Sequence, residues 1–181
     1  MSMIYLSKIS IYVDGSCEEN KNVTSQTPAG WGFCVVIGDT GLGKGQGEIT
    51  VEKNGRVITK KDSKEFIGAA VGSNNTAELC ALAHALKWLL VEGSDTPAVI
   101  RGDSQYALNI GSGIWKAKAN KELALHVQRL WSEVSSFRDV KHEHVKAHRG
   151  HRWNERADHL AYRAMQGKDS LPVQFWKPGQ R

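Results

Sequence analysis

Four acidic residues constrain this chain more than any other feature, because each sits where an apolar pattern leaves little room for a free carboxylate. Asp14 closes the alternating run Ile9, Ile11, Val13, and Asp103 follows Ala98-Val-Ile-Arg-Gly102. Glu78 lies in the first turn of the amphipathic run that begins after Ser73, Asn74 and Asn75, and Asp158 sits beside Ala157 and Leu160 in the last helical pattern. Two acids at strand ends and two on helix flanks can converge, since chemistry in open α/β sheets gathers where strands terminate. Carboxylates crowded together resist ionising unless cations lie among them. Hard divalent cations such as magnesium accept a few carboxylates together with water and phosphate oxygens. A divalent metal site is the expectation.

Residues 8–14 alternate apolar and polar, the period of a strand, and residues 30–37 give a second one. Gly30 and Gly32 within that strand point to close approach by another segment. The glycine-rich stretch 41–47 lacks the pattern that ends in Gly-Lys-Ser/Thr and reads as a flexible loop. Asn54-Gly55 predicts a hairpin turn between residues 48–53 and 56–60, and residues 66–71 suggest a further strand. Leu79, Leu82, Leu86, Leu89 and Leu90 mark a helix that ends near Gly93 and is capped by the Ser-Asn-Asn ahead of it, Asn75 included. A strand over 98–102, a short helix over 104–110, a helix over 121–135, a strand over 140–145 and a helix over 153–165 complete the pattern. The order describes a mixed α/β domain over residues 1–166 with an irregular tail over 167–181, in which Val173, Phe175 and Trp176 can fold back onto the body.

The 181 residues suffice for one domain with a substantial core. A formal charge of +5 favours a polyanionic partner. Three widely spaced cysteines, an odd number without a CxxC pair, argue against a disulfide framework. No apolar run reaches membrane-spanning length and no signal segment stands at the start, so a soluble, cytoplasmic protein without a membrane partner is expected. His142, His144, His148 and His151 lie close in sequence, but their spacing fits no common zinc site.

With these residues placed, the chain resembles the type 1 ribonuclease H family over residues 8–165. The resemblance rests on Tyr12-Val-Asp-Gly-Ser-Cys17, Asn74-Asn-Thr-Ala-Glu-Leu79, Gly102-Asp-Ser-Gln-Tyr106 and the stretch from Val145-Lys-Ala-His148 to Asn154-Glu-Arg-Ala-Asp158. It implies a ribonuclease H-like fold, with a five-stranded mixed sheet whose first three strands are antiparallel, flanked by helices. It also implies a monomeric endonuclease that cuts the RNA strand of an RNA/DNA hybrid, leaving 5′-phosphate and 3′-hydroxyl ends. Two Mg²⁺ ions, replaceable by Mn²⁺, would serve the reaction, one preparing a water and the other stabilising the leaving oxygen. By the same resemblance Asp14 bridges both ions, Glu78 and Asp103 hold one, and Asp158 holds the other. His148 matches a loop histidine that assists proton movement or product departure, a role suited to a group that titrates near neutrality.

Substrate contacts follow from the same likeness. Asn74 and Asn75 would reach sugar hydroxyls and base edges in the minor groove, with the backbone near Cys17 and the Gln105 side chain assisting, because the 2′-hydroxyl distinguishes RNA from DNA. Ser73 and Asn120 match positions that grip a DNA phosphate. The chain departs from better-known members at Val71 and Thr76, where they carry basic residues, and in lacking the long basic protrusion between the helices that flank residues 111–120. Trp115, with Lys116, Lys118 and Lys121, is the candidate replacement for DNA-strand contact. The stretch 48–64 is longer than usual and suggests no function. The rival readings are a hybrid-binding module without catalysis, a strand-transfer or junction-resolving enzyme on the same fold, and a fragment of a reverse transcriptase polyprotein. Intact acids oppose the first, and the Asn74-Asn75 pair with the His148 loop opposes the second. The methionine start and compact length favour a free-standing protein over the third.

Overall fold

A computed structural model describes residues 8–181, so the first seven residues of the expected domain lie outside the described residues. Strand β1 (Ile9–Cys17) pairs antiparallel with β2 (Ala29–Ile37), and β2 pairs antiparallel with β3 (Glu48–Arg56). On its other edge β1 pairs parallel with β4 (Ala98–Gly102), which pairs parallel with β5 (Val140–His144). The sheet order is β3-β2-β1-β4-β5, the expected five-stranded mixed sheet with three antiparallel strands first. The helices are α1 (Asn74–Glu92), α2 (Gln105–Gly111), α3 (Lys121–Ser135) and α4 (Arg152–Gln166). Among the described residues no helix is long and apolar enough to cross a membrane.

The period-2 alternation of β1 sorts its side chains onto two faces. Ile9, Ile11 and Val13 pack with the leucine stripe of α1 and with Leu123 and Val127 of α3. Tyr12 faces the other way, joining Cys34 and Val36 of β2 against Trp153, Ala157 and Leu160 of α4. Helix α4 lies close on β2 as the two glycines anticipated: a Cβ at Gly32 would stand 2.7 Å from the Leu160 Cβ and 2.8 Å from the Ala161 nitrogen. It is also tied to β3 by Arg156, fully buried, whose Nε and Nη2 donate to the Glu52 carboxylate at 2.8 and 2.6 Å.

Several local expectations are corrected. Strand β1 does not stop at Asp14 but continues to Cys17, with Asp14 opposite Gly32 of β2. Asn54-Gly55 forms no hairpin turn, because β3 runs through it with Asn54 opposite Gly32 and Gly55 opposite Trp31. Tertiary contacts override the local signal: Asn54 Nδ2 donates to the Leu160 carbonyl at 2.8 Å, and Gly55 leaves room for the Trp31 ring, which would stand 2.9 Å from an added Cβ. Residues 66–71 are irregular rather than a strand. The α1 cap is Ser73, whose hydroxyl accepts from the Thr76 amide while Thr76 Oγ1 accepts from the Ser73 amide; Asn75 is already helical. Thr76 is thus buried in a capping box.

The loop between β2 and β3 is pinned as well as glycine-rich. The Arg152 amide donates to the Lys44 carbonyl at 2.8 Å and the Trp153 indole donates to the Gln46 carbonyl at 2.7 Å. The segment after α4 folds back through Trp176, buried beside His159 and under the Arg156 guanidinium, but not through Phe175, which is 74% exposed because the ring contacts of the returning chain go to Trp176, with Val173 half-buried. Cys17, Cys34 and Cys80 are free.

The contact between α4 and β2 tolerates no added carbon. Replacing Gly32→Ala is expected to lower the unfolding free energy by about 1–3 kcal/mol, the usual range for overpacking. Urea denaturation measures it, and an unchanged midpoint would contradict this packing.

Candidate active site

The parallel register of β1 and β4 aligns Tyr12 with Arg101. Two residues further along, Asp14, inside β1 but past the end of its pairing with β4, comes level with Asp103, just beyond the carboxyl end of β4, where open α/β sheets form crevices. Glu78 joins them because Gly15 has no side chain. A Cβ there would stand 2.4 Å from the Glu78 nitrogen and 2.7 Å from the Ala77 Cβ, so only glycine admits the start of α1 against β1. Glu78 is the fifth residue of α1, past its first turn, so the expected first-turn placement is corrected and the helix dipole is not its reason for being there.

Carboxylate oxygens of Asp14, Glu78 and Asp103 lie within 4.8 Å of one another. Asp14 and Glu78 are each 4% exposed. The Gly15 amide donates to Asp14 Oδ1 at 2.9 Å, whereas the buried Oε2 of Glu78 has no hydrogen-bond partner. Burial, then repulsion from Glu78 and Asp103, holds Asp14 well above the usual carboxylate range. Burial, then the Asp103 charge, pushes Glu78 up to about 8. Asp103 is also raised by burial, and the Asn154 side chain opposes that rise by donating to its carboxylate. An all-oxygen set that is uncomfortable as anions, with one oxygen free, suits a hard divalent cation.

Asp158 stands beside this triad rather than within it. Its charge acts on Asp14, Glu78 and Asp103 alike, but both its oxygens are taken by Arg181, at 2.9 and 3.0 Å. Asn154, one helical turn before Asp158, is buried with its Oδ1 unpartnered. Sequence alone gives Asn154 no role; its i, i+4 spacing from Asp158 is the one signal that could have found it.

His148 lies exposed in the loop between β5 and α4 with φ of 54°, close enough for its charge to act on Asp103. The other histidines of that region are engaged elsewhere. His142 stacks edge-on against Trp131, and His144 Nε2 lies 3.1 Å from the Asp103 carbonyl. His151 caps α4: its Nδ1 accepts from the Asn154 amide, and its Nε2 lies 3.2 Å from the Tyr12 hydroxyl, which donates to Asp39. Among the described residues the only metal-capable group is the carboxylate triad.

Around the triad, Asn74 and Asn75 are exposed at the start of α1, one turn before Glu78, and Gln105 is exposed at the start of α2. Cys17 ends β1 half-buried, its thiol raised first by burial and then by the Glu78 charge. The Ser73 hydroxyl is engaged in the cap. Asn120 precedes α3 in a left-handed conformation, φ 52°, and its amide donates to the Tyr106 hydroxyl at 3.2 Å. Trp115 is 46% exposed next to Ile114 at 64%, so its ring is open to a partner.

This sheet order, with acids brought together where the parallel pairing of its central strands ends, defines an α/β protein of the ribonuclease H-like fold. The N-terminal RNase H domain of a Mycobacterium tuberculosis protein, solved as a fusion with maltose-binding protein, superposes with a TM-score of 0.63 at 28% identity, covering 89% of this chain and 95% of that one. LC11-RNase H1, solved in complex with an RNA/DNA hybrid, gives 0.62 at 26% identity, covering 88% and 98%. The RNase H family model matches residues 7–166, and ribonuclease HI of Caulobacter vibrioides is 34% identical over 166 residues, 85% of this chain and 90% of that protein. The chain belongs to the RNase H family, as a type 1 enzyme.

The raised Glu78 has a signature in stability. Between 4.5, its value in an unfolded chain, and about 8, the folded protein holds a proton that the unfolded chain has released. Its contribution is therefore complete below the lower value and is lost as pH rises through the upper one. In EDTA, the stability of Glu78→Gln relative to wild type is expected to grow between about pH 5 and about pH 8. Urea titrations across that range measure it; a pH-independent difference would contradict the crowding of these acids.

Proposed function

We propose that this enzyme hydrolyses the RNA strand of RNA/DNA hybrids endonucleolytically, as a monomer, with two Mg²⁺ ions per site for which Mn²⁺ substitutes, leaving 5′-phosphate and 3′-hydroxyl ends. The observation that carries this reading is the close-set triad of buried Asp14 and Glu78 with half-buried Asp103, in which the buried Oε2 of Glu78 has no partner. Divalent cations held there would supply a water nucleophile at neutral pH and would stabilise the charge developing on the leaving 3′ oxygen.

The protein's own contribution is placement. Asp14 would be the acid shared by the two cations, Glu78 and Asp103 would help hold one, and Asp158 would serve the other. Asn154 keeps Asp103 oriented by donating to its carboxylate. His148, on its exposed loop, exchanges a proton with the departing product. The exposed amides of Asn74 and Asn75 supply donors and acceptors for 2′-hydroxyls one helical turn from the cation site. The backbone at Cys17 and the Gln105 side chain extend that contact. Ser73 and Asn120 meet the DNA strand's phosphates, and the exposed face of Trp115 meets its sugars, with Lys116, Lys118 and Lys121 supplying charge. Residues up to 166 form the catalytic domain, and residues 167–181 are an appendage to α4.

Labelled RNA/DNA, RNA/RNA and DNA/DNA duplexes incubated with and without Mg²⁺ test the proposal. Cleavage of the hybrid's RNA strand is expected, only with the cation. Asp14→Asn is expected to reduce it by at least about 10³-fold, a loss of about 4 kcal/mol in transition-state stabilisation, while leaving hybrid affinity in place. Near-wild-type cleavage by that variant would overturn the proposal.

A further inference from the structure

We infer that Arg181 is a positioning residue of the cation site: its guanidinium holds the Asp158 carboxylate until a cation displaces it. This rests on the cation-site reading above. The pair is bidentate, with Nε 3.0 Å from Oδ2 and Nη2 2.9 Å from Oδ1, so each Asp158 oxygen already accepts from a cationic group. Such fork geometry is the stronger form of a charge-assisted hydrogen bond. The same guanidinium lies over the Tyr162 ring, 4.6 Å from its centroid, one turn along α4 from Asp158. Its charge also acts on Asp14.

The segment that delivers Arg181 is anchored at several points. Helix α4 ends at Gly167 in a left-handed conformation, which turns the chain back. Arg163 Nε donates to the Asp169 carbonyl at 2.7 Å. The buried His159 ring then holds the returning strand at both nitrogens, Nε2 accepting from the Leu171 amide at 2.9 Å and Nδ1 donating to the Gln180 carbonyl at 3.2 Å. The buried Trp176 indole donates to that same carbonyl at 2.8 Å. Gln180 is thus fixed by two ring donors, and the next side chain is the one on Asp158.

A guanidinium does not lose its proton at any working pH. It leaves Asp158 only by exchange, and a divalent cation on the same oxygens would meet a like charge beside it. The cation and Arg181 are therefore alternatives for Asp158. Before metal arrives, Arg181 neutralises the acid that would otherwise add a further negative charge to the triad. When metal arrives, its displacement lowers the apparent affinity by the fraction of molecules in which Asp158 is free. Because the Arg181 side chain is 48% exposed, water weakens the pair and the effect is bounded.

Mn²⁺ titrations of the full chain, with free Mn²⁺ read by electron paramagnetic resonance, test this. Arg181→Ala is expected to tighten the weaker Mn²⁺ site roughly 3- to 10-fold. Trp176→Ala, which loosens the segment carrying Gln180 and Arg181, is expected to shift it the same way, and Arg181→Lys by less. In EDTA Arg181→Ala should melt at lower temperature than wild type, and saturating Mn²⁺ should raise its melting temperature by more. Mn²⁺ affinity that Arg181→Ala leaves unchanged, with wild-type binding still abolished by Asp14→Asn, would overturn this inference alone. Wild-type protein whose Mn²⁺ binding does not depend on Asp14 would overturn it together with the cation-site reading.

Discussion

Mutual repulsion among buried carboxylates is the constraint on which the rest of this structure depends. Asp14, Glu78 and Asp103 arrive from a strand, a helix and a loop, with oxygens within 4.8 Å of each other and little water to screen them. No local preference would assemble them, because burial and proximity each penalise the charged state. They are held by what lies behind them. The leucine stripe of α1 packs on one face of β1, α4 packs on the other face of the sheet, and a glycine at position 15 lets strand and helix touch. Fold stability is spent locally at the site, which is where departures from local consistency are expected.

Helix α4 carries much of the site's organisation. Its apolar side lies on β2, its buried Arg156 anchors β3, and its N-terminal cap His151 reaches the Tyr12 hydroxyl within the sheet. One flank of this fixed helix then presents Asn154 to Asp103 and Asp158 to the edge of the triad. The rigidity matters because hard cations respond to the spacing of their oxygens. The loop carrying His148 is by contrast exposed, which suits the proton exchange proposed for it.

Most of the fold was legible because helical and strand periods report burial directly. The leucines of α1 and the alternation of β1 each placed an element within a few residues of its observed bounds. Asn54-Gly55 misled because a dipeptide that favours a tight turn can also serve a strand when a neighbouring ring and a carbonyl claim it. The convergence of Asp14, Glu78 and Asp103 was legible from their apolar surroundings, but the place of Asp158 beside that triad was not. That Asp158 faces a guanidinium depends on a turn at Gly167 and on ring contacts from His159 and Trp176, long-range features with no periodic signal. Asn154 was missed because an asparagine near a helix start has an ordinary explanation in capping, whereas the cap here is His151.

Anomalous diffraction from crystals grown with saturating Mn²⁺ and a hybrid made non-cleavable at its RNA strand tests the central claim most directly. The account predicts two manganese peaks against the carboxylates of Asp14, Glu78, Asp103 and Asp158, with Asp14 touching both. Manganese found only elsewhere on the protein, with this acidic cluster empty, would contradict it.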